Sequence, residues 1–294
     1  MTGSGEFLDY SIIDVFARRP YEGNQLAVVR TRSTVSGELM YSVTREFGYS
    51  ETTFINAESN LYRPVPVRIF GLNGEMKFAG HPSLGTAFVL RGDSGLKEIS
   101  LQMHVGVIPV MFEETENGTV CEMKQPDPVF LMEHDPDEVA RVIGLKTDRI
   151  DSSLPIKTVS TGNRFVVVPL KTLKDIGSVR LGEDAWSYLS DHGDLHFYLI
   201  TQETVHRESA IHARMIYDRG EDPGTGSAAG PACAYMLRYG LMDSGTRIWI
   251  EQGMEMGRPC FIRASGTMKG GIPQDIRVAG NCIKTADGRI SIQA

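Results

Sequence analysis

The feature of this 294-residue sequence that most restricts its fold is an internal repeat. Residues 67–81 can be placed above residues 213–227 without a gap, and an arginine, two glycines and a glutamate then coincide. The coinciding pairs are Arg68 and Arg214, Gly74 and Gly220, Glu75 and Glu221, and Gly80 and Gly226. A second match, between residues 23–29 and 162–168, lies upstream in the same order. Two ordered matches indicate two homologous halves.

Each copy of the repeat reads as a short strand, a polar turn and an apolar helix. The helices that begin after Gly80 and Gly226 consist mostly of small and apolar residues, which predicts that both are buried. A third helix is predicted from Ser36 to Phe47 with Gly48 as its stop, and a fourth from Asp135 to Gly144. Short segments rich in β-branched and aromatic residues predict strands at 10–16, 25–29, 52–55, 65–70, 165–168, 196–200, 213–217 and 247–250.

These elements predict an α+β protein of two pseudo-symmetric halves. Each half is expected to be a curved, mostly antiparallel, barrel-like sheet around a central apolar helix. We expect the halves at residues 8–127 and 128–294, with the boundary within 126–134 and with the last strands free to cross back to the first half. Hydrophobic residues at 41% and charged residues at 23% agree with an ordinary globular chain.

Charge and composition exclude several classes of function. The net charge of −7 gives no basic patch for nucleic acid or for an anionic membrane surface. Apolar runs fall far short of the roughly 20 residues of a membrane helix, and no leader is visible, so we expect a cytoplasmic protein. The four cysteines form no CxxC pair and the seven histidines are dispersed, so we expect no metal site.

The starts of the two apolar helices are the candidate functional site. Helix N-termini carry unpaired N–H groups and a partial positive charge, and glycines there let a ligand approach the backbone closely. If the halves face each other, segments 80–83 and 224–227 meet in one cleft and can cradle a carboxylate or phosphate. The alternative is that both are ordinary helices packed on sheets.

Four ordered motifs connect the chain to a known family. They are Gly23-Asn24, Ser50-Glu51-Thr52-Thr53-Phe54, Ala79-Gly80-His81-Pro82-Ser83-Leu84-Gly85 and Glu221-Asp222-Pro223-Gly224-Thr225-Gly226-Ser227-Ala228. With these motifs, and a similar stretch at 251–259, the sequence resembles the phenazine-biosynthesis isomerase family (PhzF-like), which shares the diaminopimelate-epimerase fold. The resemblance extends from about residue 9 to residue 292.

The resemblance implies cofactor-free proton transfer on a small carboxylate-bearing substrate, and a homodimer of two-barrel chains. The founding activity of the family isomerises trans-2,3-dihydro-3-hydroxyanthranilate. By motif position Glu51 is implied as the central acid/base, with His81 and Asp222 as catalytic partners. The substrate-binding residues implied in the same way are Ser50, Gly80, Thr225, Gly226 and Ser227.

The residues themselves are compatible with those roles. Glu51 follows the helix stop at Gly48 and precedes an apolar segment, which predicts a side chain at the mouth of a strand. His81 lies in a first helical turn, where the positive helix end disfavours imidazolium, so we expect a neutral ring. Asp222 can equally be a turn carboxylate, since it directly precedes Pro223.

Three other functions are conceivable for a chain with these residues. Racemases of the same fold use two opposed cysteines at the starts of the central helices, but Ala79 and Pro223 stand there, and Cys233 is predicted to be core. A dinucleotide-binding loop at 224–230 is disfavoured by the acidic turn before it and by the expectation that no parallel β-α-β run surrounds it. A non-catalytic protein of the same fold that binds a small metabolite remains the alternative to an isomerase.

Overall fold

The computed structural model of the protein describes residues 7–193, 195–217 and 220–292, so positions 218 and 219 of the second repeat copy lie outside the described residues. The chain divides into a first unit, residues 1–123 with 279–294, and a second unit, residues 124–278. The strands are β1 (Phe7–Val15), β2 (Asn24–Thr31), β3 (Glu51–Asn56), β4 (Val65–Gly71), β5 (Gly74–Met76), β6 (Glu98–Met103), β7 (Gly106–Thr115), β8 (Gly118–Lys124), β9 (Val129–Glu133), β10 (Lys157–Ser160), β11 (Arg164–Pro169), β12 (His196–Thr201), β13 (Ser209–Tyr217), β14 (Gly220–Asp222), β15 (Arg247–Gln252), β16 (Cys260–Lys269) and β17 (Ile272–Ser291). The helices are α1 (Gly37–Phe47), α2 (Gly80–Arg91), α3 (Pro136–Val142), α4 (Leu173–Ser178), α5 (Glu183–Asp191) and α6 (Gly226–Arg238).

The strands of the first unit close into a ring. β1 pairs with β17 and with β2, and the order continues through β3, β4, β6, β7 and β8. The pairing of β8 with β17 closes the ring, and β5 forms a short hairpin with β4. Within the ring, β2 pairs with β3 and β4 with β6 in parallel. The antiparallel pairs are β1 with β17, β1 with β2, β3 with β4, β6 with β7 and β7 with β8. A closed sheet leaves no unpaired edge around the barrel.

Helix α2 lies inside this ring. It packs against β1, β2, β3, β6 and β7, and its residues from Gly80 to Ala87 are buried. Gly85 allows the helix to approach the sheet closely, because a Cβ atom there would lie 2.7 Å from Leu26 Cδ2 and 2.9 Å from Val15 Cγ2. The burial expected from its apolar composition is confirmed.

The second unit repeats the same order of strands. Successive pairs in the series β10, β11, β12, β13, β15 and β16 are antiparallel, parallel, antiparallel, parallel and antiparallel. Successive pairs in the series β1, β2, β3, β4, β6 and β7 of the first unit have the same directions in the same order. α6 is buried along most of its length and packs against β10, β11 and β16. The hairpin of β13 and β14 directly precedes α6, as the hairpin of β4 and β5 precedes α2. The predicted fold class of two similar barrel-like halves is confirmed.

The residues that coincide in the repeat make the same contact in each unit. Arg68 Nε and Nη2 donate to the two carboxylate oxygens of Glu75, both at 2.7 Å. Arg214 Nε and Nη2 donate to the two carboxylate oxygens of Glu221 at 2.8 and 2.7 Å. These bidentate pairs hold each hairpin closed just before its central helix. The sequence match is therefore also a structural match.

The predicted strands each correspond to a strand, and α1 is capped as predicted. Ser36 Oγ accepts a hydrogen bond from Leu39 N–H at 3.2 Å, and Gly48 ends the helix in the left-handed conformation. The helix predicted from Asp135 to Gly144 begins there but ends at Val142. The expectation of no parallel β-α-β run around α6 was wrong, since β13 and β15 pair in parallel on either side of it. β14 and Pro223 nevertheless separate β13 from the glycines, unlike in a dinucleotide-binding loop.

Candidate active site

Glu51 stands at the beginning of β3 in the first unit. The α1 stop at Gly48 turns the chain, and Ser50, which is partly exposed, leads directly into the strand. Backbone pairing with Leu26 on one side and Gly71 on the other fixes Glu51 within the ring. Its side chain is 16% exposed, so its carboxylate is largely removed from water.

His81, in the first turn of α2, faces this carboxylate. Its Nε2 lies 3.3 Å from Glu51 Oε2, and its side chain is buried. Burial lowers the pKa of His81 to about 3, against an opposing effect of a hydrogen bond with the Gln25 backbone. The ring is therefore neutral near pH 7, as expected, although the main cause is burial rather than the helix end alone. The site therefore places the carboxyl group of Glu51 beside a neutral imidazole.

Asn24 contacts the other ring nitrogen of His81. Its Nδ2 lies 3.2 Å from His81 Nδ1, and both side chains are buried. If the Asn24 amide N–H donates to Nδ1, the proton of the neutral ring is on Nε2, the nitrogen that lies 3.3 Å from Glu51 Oε2. Asn24 was part of a motif in the sequence, but no spacing cue linked it to His81, and its role was missed.

The start of α2 leaves backbone N–H groups available for a ligand. Ala79 is the N-cap, and no side chain among the described residues forms a capping hydrogen bond with it. Pro82 has no N–H, and the Ser83 N–H lies four residues after the cap and makes the first intrahelical bond, so the free donors of this turn belong to Gly80 and His81. Ser83 Oγ donates to the Ala79 carbonyl at 2.6 Å, which leaves it no capping role. Such a helix end binds carboxylates and phosphates.

The second unit gathers the other predicted residues around the start of α6. Thr225 is the N-cap, and its Oγ1 donates to Asp222 Oδ2 at 2.5 Å. Gly226 begins the helix, and Ser227, in the same turn, is partly exposed. The predicted residues thus form two groups, Glu51 with His81 in the first unit and Asp222 with Thr225 in the second. Their joint participation in one site stays a prediction.

Gln252 is a further polar residue at this second group. Its amide contacts both Asp222 and Thr225. It lies within the stretch 251–259 that resembles the family, but nothing in its spacing indicates that it reaches the start of α6. Only the pairing of β15 with β13 brings it there.

Next to Gln252, His212 on β13 forms a network of charged side chains with Glu251 at the end of β15 and Glu255 in the turn that follows. His212 Nδ1 lies 3.0 Å from Glu251 Oε1, and its Nε2 lies 3.0 Å from Glu255 Oε1. Burial alone would lower the pKa of His212, but the hydrogen bonds with the two carboxylates outweigh it and raise the pKa to about 9. Arg214 Nε lies 4.0 Å from Glu255, so this network continues to the Arg214–Glu221 pair. Sequence reasoning gave no indication of it.

Cysteine and metal chemistry find no support in the described residues. All four cysteines are buried, and burial raises the pKa of Cys233, inside α6, to about 12, so its assignment to the core is confirmed. No cluster of three or more His, Cys, Asp or Glu side chains suited to a metal ion occurs in the described part of the chain. Among the described helices, none is long and apolar enough to cross a membrane.

Solved structures share the fold. A phenazine biosynthesis protein of the PhzF family from Bacillus anthracis superposes with a TM-score of 0.87 at 26% identity, covering 98% of this chain and 100% of its own. A probable proline racemase from Agrobacterium radiobacter superposes with a TM-score of 0.64 at 8% identity, covering 97% and 93%. A closed sheet around a buried helix in the first unit, and the same order of strands around a buried helix in the second, therefore define a protein of the diaminopimelate-epimerase-like fold class.

Sequence comparison then identifies the family. The family model described as phenazine biosynthesis-like protein matches residues 13–288. An uncharacterized isomerase of Mesorhizobium japonicum is 34% identical over 97% of this chain and 99% of its own length. The trans-2,3-dihydro-3-hydroxyanthranilate isomerase of Pseudomonas aeruginosa is 33% identical over 95% of this chain and 98% of its own. The chain belongs to the phenazine biosynthesis-like (PhzC-PhzF) family and is an isomerase of the PhzF type, as the resemblance implied.

Proposed function

We propose that this protein is a cofactor-independent isomerase that moves a proton within a small carboxylate-bearing metabolite, with Glu51 as the acid/base. The observation that supports this is the pairing of Glu51 with a buried, neutral His81 at 3.3 Å. A largely buried carboxylate beside a neutral imidazole is suited to accept a proton and to give it back.

The reaction needs no change of oxidation state. The Glu51 carboxylate takes a proton from one atom of the substrate, and the electron pair left behind shifts through the adjacent unsaturated bonds. The Glu51 carboxylic acid then returns the proton to a different atom of the same molecule, so the product is an isomer and Glu51 is regenerated. The His81 Nε2–H donates a hydrogen bond to the charged form of Glu51 or to a substrate hydroxyl or amine.

The substrate carboxylate is proposed to bind at the uncapped start of α2, where Gly80 contributes a backbone N–H. Ser50, adjacent to Glu51, is a proposed substrate contact. In the second unit Asp222 is the proposed catalytic partner, and Thr225, Gly226 and Ser227 are proposed substrate-binding residues. We further propose a homodimer in the cytoplasm, on the strength of the family resemblance.

Trans-2,3-dihydro-3-hydroxyanthranilate is the first candidate substrate, because relatives that are 33% and 31% identical to this chain carry that isomerase name. The decisive experiment incubates it in deuterated water with the wild type and with Glu51→Gln, and follows both turnover and deuterium incorporation. The amide keeps the shape of the side chain but cannot take up the proton. We expect turnover to fall by roughly 10²- to 10⁴-fold, the usual contribution of a positioned acid/base.

A matched control separates this effect from a general loss of charge. Glu46 is an exposed glutamate in α1 of the same unit, and Glu46→Gln is expected to turn over at the wild-type rate. Turnover by Glu51→Gln equal to the control would remove Glu51 from the mechanism. Binding of the substrate by the wild type without turnover or deuterium exchange would instead indicate the non-catalytic alternative.

A further inference from the structure

Gln252, the last residue of β15, is fully buried and uses its amide group completely. Its Nε2 donates to the Asp222 carbonyl at 2.7 Å and to Thr225 Oγ1 at 2.9 Å. Its Oε1 accepts from Thr225 N–H at 3.2 Å and from the Tyr198 hydroxyl at 3.1 Å. A carboxamide has two donor hydrogens and two acceptor lone pairs, and each of the four has a partner here.

These partners also fix the orientation of the amide. The backbone N–H of Thr225 can only donate, so it must face Oε1, and the backbone carbonyl of Asp222 can only accept, so it must face Nε2. Burial raises the pKa of Tyr198, which keeps its phenol protonated and able to donate to the same Oε1. An amide rotated by 180° would lose these bonds.

The fixed amide in turn directs the Thr225 hydroxyl. Because Thr225 Oγ1 accepts a hydrogen bond from Gln252, its own proton is directed to Asp222 Oδ2, 2.5 Å away. Gln252, Thr225 and Asp222 therefore form one directional chain of donors that ends on a carboxylate. Such a chain holds the carboxylate in a single position.

The strand that carries Gln252 is itself rigidly held. Gln252 pairs with Ala213 on β13 and with Cys260 on β16. The next residue, Gly253, has a φ of 84°, and a Cβ atom there would lie 2.6 Å from the Pro223 carbonyl oxygen. The turn after β15 is thus packed directly against the segment that contains Asp222, which makes β15 a suitable support for positioning it.

We propose that Gln252 is the positioning residue of the second unit, acting through the Thr225 hydroxyl to orient the Asp222 carboxylate for catalysis. This inference rests on the function proposed above. It assigns Gln252 no contact with the substrate. Its substitution should therefore lower kcat and leave KM nearly unchanged, because a misdirected catalytic group slows the chemical step without weakening binding.

The test uses Gln252→Glu, Thr225→Val and the double variant, assayed with trans-2,3-dihydro-3-hydroxyanthranilate. An ionised glutamate keeps the shape and the acceptors of Gln252 but has no hydrogen to donate to Thr225 or Asp222. We expect kcat to fall about 10²-fold in each single variant. The KM of Gln252→Glu should stay within about twofold of the wild type, because Gln252 is assigned no contact with the substrate. The double variant should be no slower than the slower single variant, because both substitutions interrupt the same chain.

Tyr235→Phe is the control for a purely structural effect. It removes another buried hydrogen bond of the second unit, from the Tyr235 hydroxyl to the Pro155 carbonyl, and should lower Tm while kcat stays at the wild-type value. Multiplicative losses in the double variant, or a wild-type kcat in Gln252→Glu, would overturn the proposal. If Gln252→Glu fails to fold, Thr225→Val alone must show the kcat loss, and a wild-type kcat there refutes the chain.

A wild type that does not turn over this substrate would refute the candidate substrate of the proposed function rather than the positioning chain. In that case hydrogen exchange at the Thr225 amide decides, because Gln252 Oε1 is its acceptor. Gln252→Leu removes that acceptor, so exchange at this amide should accelerate relative to Tyr235→Phe. Equal protection in the two variants would overturn the role of Gln252.

Discussion

The buried network around His212 predicts how the stability of the protein changes with pH. The pKa of His212 rises from 6.5 to about 9 on folding, a difference of about 2.5 units. At 1.36 kcal/mol per unit, the protonated ring contributes about 3 kcal/mol to the free energy of unfolding. Because the folded pKa is the higher one, this contribution is complete below about pH 6.5 and is lost as the pH rises through about 9.

The charges that surround His212 come from three neighbouring elements. Glu251 on β15 and Glu255 in the following turn accept from the two ring nitrogens, and Arg214 on the same strand as His212 approaches Glu255. The NH groups of Val205 and His206 also donate to Glu251, so this carboxylate stays fixed when the ring loses its proton. Deprotonation above pH 9 leaves the buried carboxylate of Glu251 and the partly exposed carboxylate of Glu255 beside a neutral ring, which is the unfavourable state.

The assay is urea unfolding of the wild type and of His212→Gln at a series of pH values from 6.5 to 9.5. The difference in unfolding free energy between the two proteins should shrink by about 3 kcal/mol across this range. His104→Gln is the matched control, because His104 is 59% exposed and lies 4.0 Å from its acidic neighbour Glu75. A difference between wild type and His212→Gln that is constant with pH would refute a charged His212.

Two further predictions follow from the repeat and from the packing of α2. Arg214→Gln should lower the free energy of unfolding by about 3–5 kcal/mol, because the Arg214 side chain is only 8% exposed and its loss leaves Glu221 unpaired. Arg68→Gln, at a site 39% exposed, should lower it by less than about 1 kcal/mol. Equal losses for the two variants in urea unfolding would contradict this. Gly85→Ala should lower the free energy of unfolding by about 1–3 kcal/mol, because the new Cβ atom overlaps Leu26 and Val15. Gly182→Ala, whose Cβ atom meets no atom within 4 Å, should change Tm little. Equal Tm values for the two variants would contradict the close packing at Gly85.

The sequence alone predicted the parts of the fold that depend on local pattern. Ser36 and Gly48 bound α1 through their own side chain and backbone conformation, and the small apolar residues after Gly80 and Gly226 gave two buried helices. The coincidence of Arg68 with Arg214 predicted a duplicated unit, and the same ion pair in both copies confirms it. These features can be predicted because each depends on residues that lie only a few positions apart in the sequence.

The parts that were missed depend on contacts between distant segments. The hairpin strands β6 to β8 escaped notice because β7 carries apolar residues such as Val107 and Met111 at its exposed positions as well, so its sequence shows no alternation of polar and apolar residues. Asn24 reaches His81 across 57 positions, and Gln252 reaches Thr225 across 27. His212 gains its charge from carboxylates 39 and 43 positions away. No local pattern encodes such distances, so sequence reasoning could name Glu51 and Asp222 but not the side chains that hold their surroundings.

The long strand β17 has a consequence for how the protein is made. Its residues 282–291 pair with β1, the first strand of the chain, while its earlier residues belong to the second unit. At a synthesis rate of roughly 5–20 residues per second, about 10–30 s therefore pass between the completion of β8 and the synthesis of the part of β17 that joins β8 to β1. Throughout that interval the nascent first barrel is an open sheet with two free edges, each able to pair with another chain. Ribosome-bound chains that stop before residue 279 should consequently be more prone to aggregate than the released protein, with the vulnerability residing in the half that was translated first.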